Sequence, residues 1–409
     1  MPPVQPVHTL YVAADAFTAR QAREAGETAL AALRDWAPDA ETFGRAIGWA
    51  RGAELLSLVY DRVVQKLERE PVEDLRADFE DGYGTRPEDE EDSAAIAVAQ
   101  GIAAAARDRS LPRFIGIRVK PLTPELFRRS QRTLELVLRG IVDEAGELPP
   151  GLRVTLPKVT TAEQMYRFAE LLGALENRLG ITAGILRFEM MVETPQSIVD
   201  ESGAAALPRL VDAAHGRLSA AHYGVYDFTA ACGIGPAHQG LAHPLSDFVR
   251  QMMIVSLAGR GIWLSDGSTA ELPVTTHHVS GRDASAGHEH AVHRAWKRHF
   301  DEVSRSLAQG FYQGWDLHPA QLPTRFAAVY AFYLSGLPAA STRLRALLQR
   351  ASGGGIQDDP ATGQALLAFV QRGIACGALS EREVVSATGL VTHELADMSF
   401  ADVLRGRSR

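Results

Sequence analysis

Two carboxylates, Glu193 and Asp227, each close an apolar run: Phe188-Glu-Met-Met-Val-Glu193 and His222-Tyr-Gly-Val-Tyr-Asp227. An acid just past a buried strand sits at the strand's mouth, where a scaffold can hold it rigidly. Two such acids, one strand-helix-strand unit apart, can hold one hard divalent cation and leave its other positions open to substrate. Similar runs end in Asp15, Glu80 with Asp81, Arg118, Lys158, Asp266 and His318. A guanidinium beside such an ion offers a planar fork to a carboxylate or an enolate oxygen. Arg118 is therefore a candidate catalytic and substrate-binding residue. Lys158 and Asp266 are expected to contact substrate, and Gly224 to let the backbone approach it. Glu80 or Asp81 would bind metal-bound water or move a proton. Successive residues of an extended chain face opposite sides, so one of these two acids is expected to face the site. Taken singly, Asp15, Lys158 and Asp266 read equally well as loop or helix-capping positions. Their convergence is what argues for a site.

That convergence needs a scaffold. Eight β-prone runs occur at residues 8–14, 74–81, 113–119, 152–158, 185–192, 218–225, 261–266 and 311–317, nearly all separated by helical stretches. Alternating strands and helices impose parallel pairing, because a crossover helix must return the chain. Eight such units over residues 1–323 predict an α/β fold of the (β/α)8 TIM-barrel type, whose sites lie at the carboxyl ends of the strands. A doubly wound sheet would carry a glycine-rich phosphate turn after its first strand. Here that position reads Ala13-Ala-Asp-Ala-Phe17. About 60 residues separate the first two strands, roughly twice the usual unit, so a helical insertion near 38–70 is expected to cover part of the mouth. Residues 324–409 read as a C-terminal helical extension, with a glycine-rich joint at 352–355.

Composition narrows the function classes. A net charge of -8, with no Lys/Arg-rich run, argues against a nucleic-acid surface. No apolar run reaches the length of about 20 residues that spans a bilayer, and no secretory leader pattern opens the chain. Cys232 and Cys376 have no metal-ligand spacing, which points to a reducing cytoplasm. His277, His278, His288, His290 and His293 form a His-rich segment. His290 and His293 could bind a transition metal, but a polar loop and solvated helix face is the simpler reading. His238 and His243 flank the loop after Asp227 and are candidate pocket residues, and Cys232 reads as a small buried filler.

Seven motifs in order carry a family resemblance. They are Thr9-Leu-Tyr-Val-Ala-Ala-Asp15, Asp78-Phe-Glu-Asp81, Arg118-Val119, Leu156-Pro-Lys158, Val192-Glu-Thr194, Gly224-Val-Tyr-Asp227 and Gly314-Trp-Asp-Leu-His-Pro-Ala-Gln321. Together they resemble the citrate lyase β-subunit branch of the HpcH/HpaI aldolase and citrate lyase superfamily, over about residues 8–323. The resemblance implies a TIM barrel that binds Mg²⁺ or Mn²⁺ through Glu193 and Asp227. It also implies reversible C–C bond cleavage through an enolate, on a 2-oxo acid or acyl-CoA substrate, by a homo-oligomer, commonly a trimer or hexamer. Lys120 replaces the family's usual Asn, and the helices beyond residue 323 exceed a minimal citrate lyase β-subunit, so a divergent branch is expected. Enolpyruvate or phosphoryl transfer on the same barrel is an alternative. A non-catalytic assembly or regulatory subunit is another, against which the clustered acids argue.

Overall fold

A computed structural model describes residues 4–274, 282–352, 360–395 and 398–407. Eight parallel strands pair in chain order and close on themselves, β8 lying beside β1. They are β1 (His8–Ala13), β2 (Asp74–Asp78), β3 (Phe114–Arg118), β4 (Leu152–Leu156), β5 (Phe188–Val192), β6 (Leu218–Tyr223), β7 (Trp263–Ser268) and β8 (Gln313–Asp316). The expected TIM barrel is thus present. No helix among the described residues is long and apolar enough to cross a membrane.

Each strand is short, and side chains alternate between the barrel interior and the surrounding helices. On β2, Leu75 and Ala77 belong to the apolar core, while Asp74, Arg76 and Asp78 engage polar partners from other strands. The interior therefore carries a charged layer. Arg76 bonds Asp74, reaches Glu189 at 2.8 Å, and donates to Thr155 at 3.3 Å. His222 Nε2 stands 3.4 Å from Glu189, and Trp315 donates its indole N–H to His222 Nδ1 at 2.9 Å. Arg76, Glu189 and His222 are fully buried, so each charge depends on its partners rather than on water.

The strand boundaries correct several expectations. β2 stops at Asp78 because the chain then folds back on that residue: the Glu80 and Gly82 amides both donate to its carboxylate. β7 runs on to Ser268, which places Asp266 inside the strand rather than at its end. β8 stops at Asp316, whose carboxylate bonds Arg325 and His299. His318 lies beyond it and caps the short turn Pro319–Gln321.

The predicted insertion is two helices, Ala40–Ile47 and Ala53–Arg69, not one. Gly48, in the left-handed region at φ 67°, ends the first. They pack against the helices Arg282–Ala308 and Leu322–Ser352, and no residue of 38–70 lines the barrel mouth. The expected cover over the mouth is therefore absent from this segment. The helix Leu322–Ser352 runs along Ala53–Arg69 and Arg282–Ala308, so apolar packing is continuous from the barrel's outer helices into the C-terminal ones. The glycines of the predicted joint, 353–355, lie outside the described residues, as do His277 and His278.

Arg76→Met leaves Asp74 and Glu189 buried without their cation. We expect it to lower the unfolding free energy by about 3–5 kcal/mol, seen as a lower urea midpoint at unchanged slope. An unmoved midpoint would show that the charged layer does not hold the barrel together.

Candidate active site

A cavity of about 460 Å³ opens at the carboxyl ends of the strands. It is lined by Asp78, Asp81, Arg118, Glu193, Gly224 and Asp227, with Tyr11, Tyr226, Ser268 and Trp315 among its walls. The charged groups arrive from four units, those of β2, β3, β5 and β6. Asp78 and Arg118 end β2 and β3 and are register partners across that pair. Glu193 follows β5 directly. Asp227 lies in the first turn of the helix Val225–Ala231 rather than on β6 itself, which stops at Tyr223.

Arg118 is the most tightly held of these groups. Its Nε and Nη2 donate to the two oxygens of Asp78 at 2.7 and 2.6 Å, a bidentate pair. Nη1 lies 3.1 Å from Glu80. The guanidinium also sits 5.0 Å from the Tyr11 ring centroid and 5.6 Å from that of Trp315. Beneath, Trp315 is tied through His222 to the charged layer of the interior.

Lys158 takes an unusual backbone conformation, φ 53°, which costs a non-glycine residue about 1–2 kcal/mol. In that conformation its amide donates to Glu193 Oε1 at 2.6 Å. Its ammonium enters a ring of acids: Asp227 at 2.5 Å, Asp81 at 3.3 Å, Glu80 at 3.4 Å and Glu193 at 3.8 Å. Burial disfavours that charge. The fields of Glu193 and Glu80, with the bond to Asp227, nonetheless hold the ammonium well above the usual lysine range.

The acids respond in opposite directions. Glu193 is only 2% exposed, and burial lifts its carboxyl to about 8 against the pull of Lys158 and Arg118. Burial likewise lifts Glu80 to about 7. Asp81 is more exposed, its side chain at 57%, and against the residual effect of burial its hydrogen bonding with Glu80 and the charges of Arg118 and Lys158 hold it below the usual aspartate range. Gly224 is required at its position. A Cβ there would stand 2.5 Å from the Glu193 Cβ and 2.6 Å from its Oε2. Its role here is to make room for Glu193.

The structure gathers Glu80, Asp81, Arg118, Lys158, Glu193, Gly224 and Asp227 around one mouth. Both Glu80 and Asp81 reach the site, contrary to the one-of-two expectation, because the chain has left the extended conformation before them. Asp266 does not belong here. It is 1% exposed, pairs with Arg250 at 3.0 Å, accepts from the Gly267 amide and bonds Ser306, so its oxygens are taken up within the scaffold. Asp15 is half exposed and pairs with Arg86 at 3.3 Å.

Lys120 is buried, donates to the Phe79 carbonyl at 2.6 Å and pairs with Glu91 at 3.0 Å. It braces the Glu80 loop. His243 caps the helix Pro244–Leu257, and His293 bonds the Trp36 carbonyl and stacks on Trp296. Cys232 is exposed rather than buried. The sequence reading missed Asp78, Tyr11 and Trp315 as site residues. Asp74-x-Arg76-x-Asp78 was a usable signal for the first, since alternate residues of a strand share a face.

Among the described residues, no three His, Cys, Asp or Glu side chains stand ready-made as a metal cage. The donor chemistry still suits a hard divalent cation. Glu80, Asp81, Glu193 and Asp227 bring oxygen donors to within 4 Å of the Lys158 ammonium, and Arg118 is committed to Asp78 and Glu80.

Solved structures are similar to this chain at low identity. A citrate lyase from Burkholderia xenovorans LB400 is 16% identical, covering 94% of this chain and 96% of its own, with a TM-score of 0.57. A magnesium and glyoxylate complex of Haloferax volcanii malate synthase is 15% identical over 98% of this chain and 97% of its own, with a TM-score of 0.48. The citrate lyase β subunit of M. tuberculosis, complexed with oxaloacetate and magnesium, is 15% identical over 79% and 96%, with a TM-score of 0.43. No curated protein sequence matches. The family model described as Domain of unknown function (DUF6986) matches residues 1–403, and the chain belongs to that family.

Proposed function

We propose that the chain is a divergent member of the HpcH/HpaI aldolase and citrate lyase superfamily, a carbon–carbon lyase or aldolase that uses Mg²⁺ or Mn²⁺ and a 2-oxo acid or acyl-CoA substrate. The observation that carries this reading is the convergence of four carboxylates, Asp78, Asp81, Glu193 and Asp227, and a braced guanidinium on one cavity at the barrel mouth. Glu193 and Asp227 would hold the cation. A bound divalent ion supplies Lewis-acid stabilisation of the negative charge that develops on a substrate oxygen.

The chain's own residues supply the rest. Arg118 cannot swing freely, because Asp78 grips two of its nitrogens. It is preorganised at the cavity wall, and a substrate carboxylate or enolate oxygen would compete there with Glu80, which stands 3.1 Å from Nη1. Glu80, lifted to about 7, sits where a carboxyl can exchange a proton near neutral pH. Tyr11 and Trp315 wall the cavity and limit water around Arg118.

Glu193→Ala and Asp227→Ala should each weaken Mg²⁺ binding by more than roughly tenfold in calorimetry. Unchanged Mg²⁺ binding in both would sink the metal assignment. Arg118→Met should slow deuterium exchange at C3 of an accepted 2-oxo acid by about 10²–10³-fold. If wild type with Mg²⁺ exchanges none of pyruvate, oxaloacetate and 2-oxobutyrate, the 2-oxo acid arm of the reading fails.

Glu193 and Glu80 titrate in the folded protein above their ordinary range, at about 8 and about 7. Their contribution to stability is complete below the ordinary carboxylate range and is lost as pH rises through these values. Asp81 has the opposite sign, but its window lies at lower pH. The metal-free protein should therefore lose melting temperature between about pH 5 and about pH 8. Added Mg²⁺ should offset most of that loss at the alkaline end. A Mg²⁺ stabilisation that does not grow with pH would contradict the assignment.

A further inference from the structure

The ammonium of Lys158 stands within 4 Å of one oxygen from each of Glu80, Asp81, Glu193 and Asp227. No other cationic nitrogen among the described residues is paired with Asp227 or Glu193. We propose that Lys158 is a built-in counter-ion: its ammonium fills the cation position and keeps the four acids together until a divalent ion displaces it. This rests on the metal reading of Glu193 and Asp227.

Three features of the geometry support it. First, the backbone and the ammonium of Lys158 do separate jobs. The amide holds Glu193 Oε1 at 2.6 Å and needs no ammonium to do so. The site can lose the ammonium without losing the position of Glu193. Second, the φ of 53° aims the side chain across the mouth, toward acids carried by the units after β2, β5 and β6. A non-glycine residue persists there only where the surroundings over-determine it. Third, the ammonium rides on a flexible four-carbon stem, and the side chain is 27% exposed, so a path out of the ring is open. Arg118 has no such freedom.

An internal occupant lowers apparent affinity in proportion to the time it fills the site. Removing it should therefore tighten metal binding, the reverse of what removing a helpful ligand does. With the position filled about nine-tenths of the time, Lys158→Met should bind Mn²⁺ roughly tenfold more tightly than wild type in calorimetry. Its metal-free form should melt at a lower temperature, because four acids then face one another without the ammonium.

A second measurement needs no variant. The chain has four lysines, Lys66, Lys120, Lys158 and Lys297. Mg²⁺ should raise reductive methylation of Lys158 in wild type, read by peptide mass, by about threefold or more if the ammonium leaves the ring. Lys297, exposed on the helix Arg282–Ala308, should be unaffected. Equal or weaker Mn²⁺ binding by Lys158→Met, beside a wild type that binds Mn²⁺, overturns the counter-ion role alone. Mn²⁺ binding by neither protein overturns the metal reading with it. Where Lys158→Met does not fold, the methylation decides: a Lys158 rate unmoved by Mg²⁺ overturns the proposal.

Discussion

Five carboxylates meet two cationic side chains at the mouth of the barrel: Asp78, Glu80, Asp81, Glu193 and Asp227 against Arg118 and Lys158. Desolvated like charges repel strongly, so such a group persists only if cations are placed among them or protons are retained. Both responses are visible. Asp78 takes the fork of Arg118, four acids share one ammonium, and burial lifts Glu193 and Glu80 toward neutrality. The arrangement of this end of the molecule follows from that shortage of positive charge.

A shortage of cations recurs below the cavity. Arg76 stands between Asp74 and Glu189 inside the barrel, and His222 links Glu189 to the indole of Trp315. That indole is part of the wall against which Arg118 lies. The interior is thus a polar column in which two acids share one guanidinium below and four share one ammonium at the mouth. The lower layer is sealed inside the barrel, whereas the upper one opens on the cavity, where perturbed groups can meet a ligand.

Much of the barrel was legible. Helical and strand periods are local properties, and their alternation permits few closed topologies, so β1 to β8 could be located with ends off by one to three residues. The errors cluster where a polar residue, not a change of period, ends a strand. Asp266 looked terminal because an acid follows Gly261-Ile-Trp-Leu-Ser, yet its strand continues and Arg250 absorbs it. Asp78 looked like one acid among several, yet it orients Arg118. The paired helices of the insertion turn outward because their apolar faces match the outer helices, not the mouth.

From the sequence alone came the barrel, the two acids that close β5 and follow β6, and the arginine that ends β3. These are set by residue type and by spacing within one unit. Only the tertiary structure decided which residues meet. Lys158 touches acids 35, 69 and 77 positions away, and a positive φ turns it toward them. Asp78 and Arg118 pair because the register of β2 on β3 sets them side by side. Contacts across units depend on strand register and on where the backbone bends, and neither is written in the local pattern of apolar and polar residues.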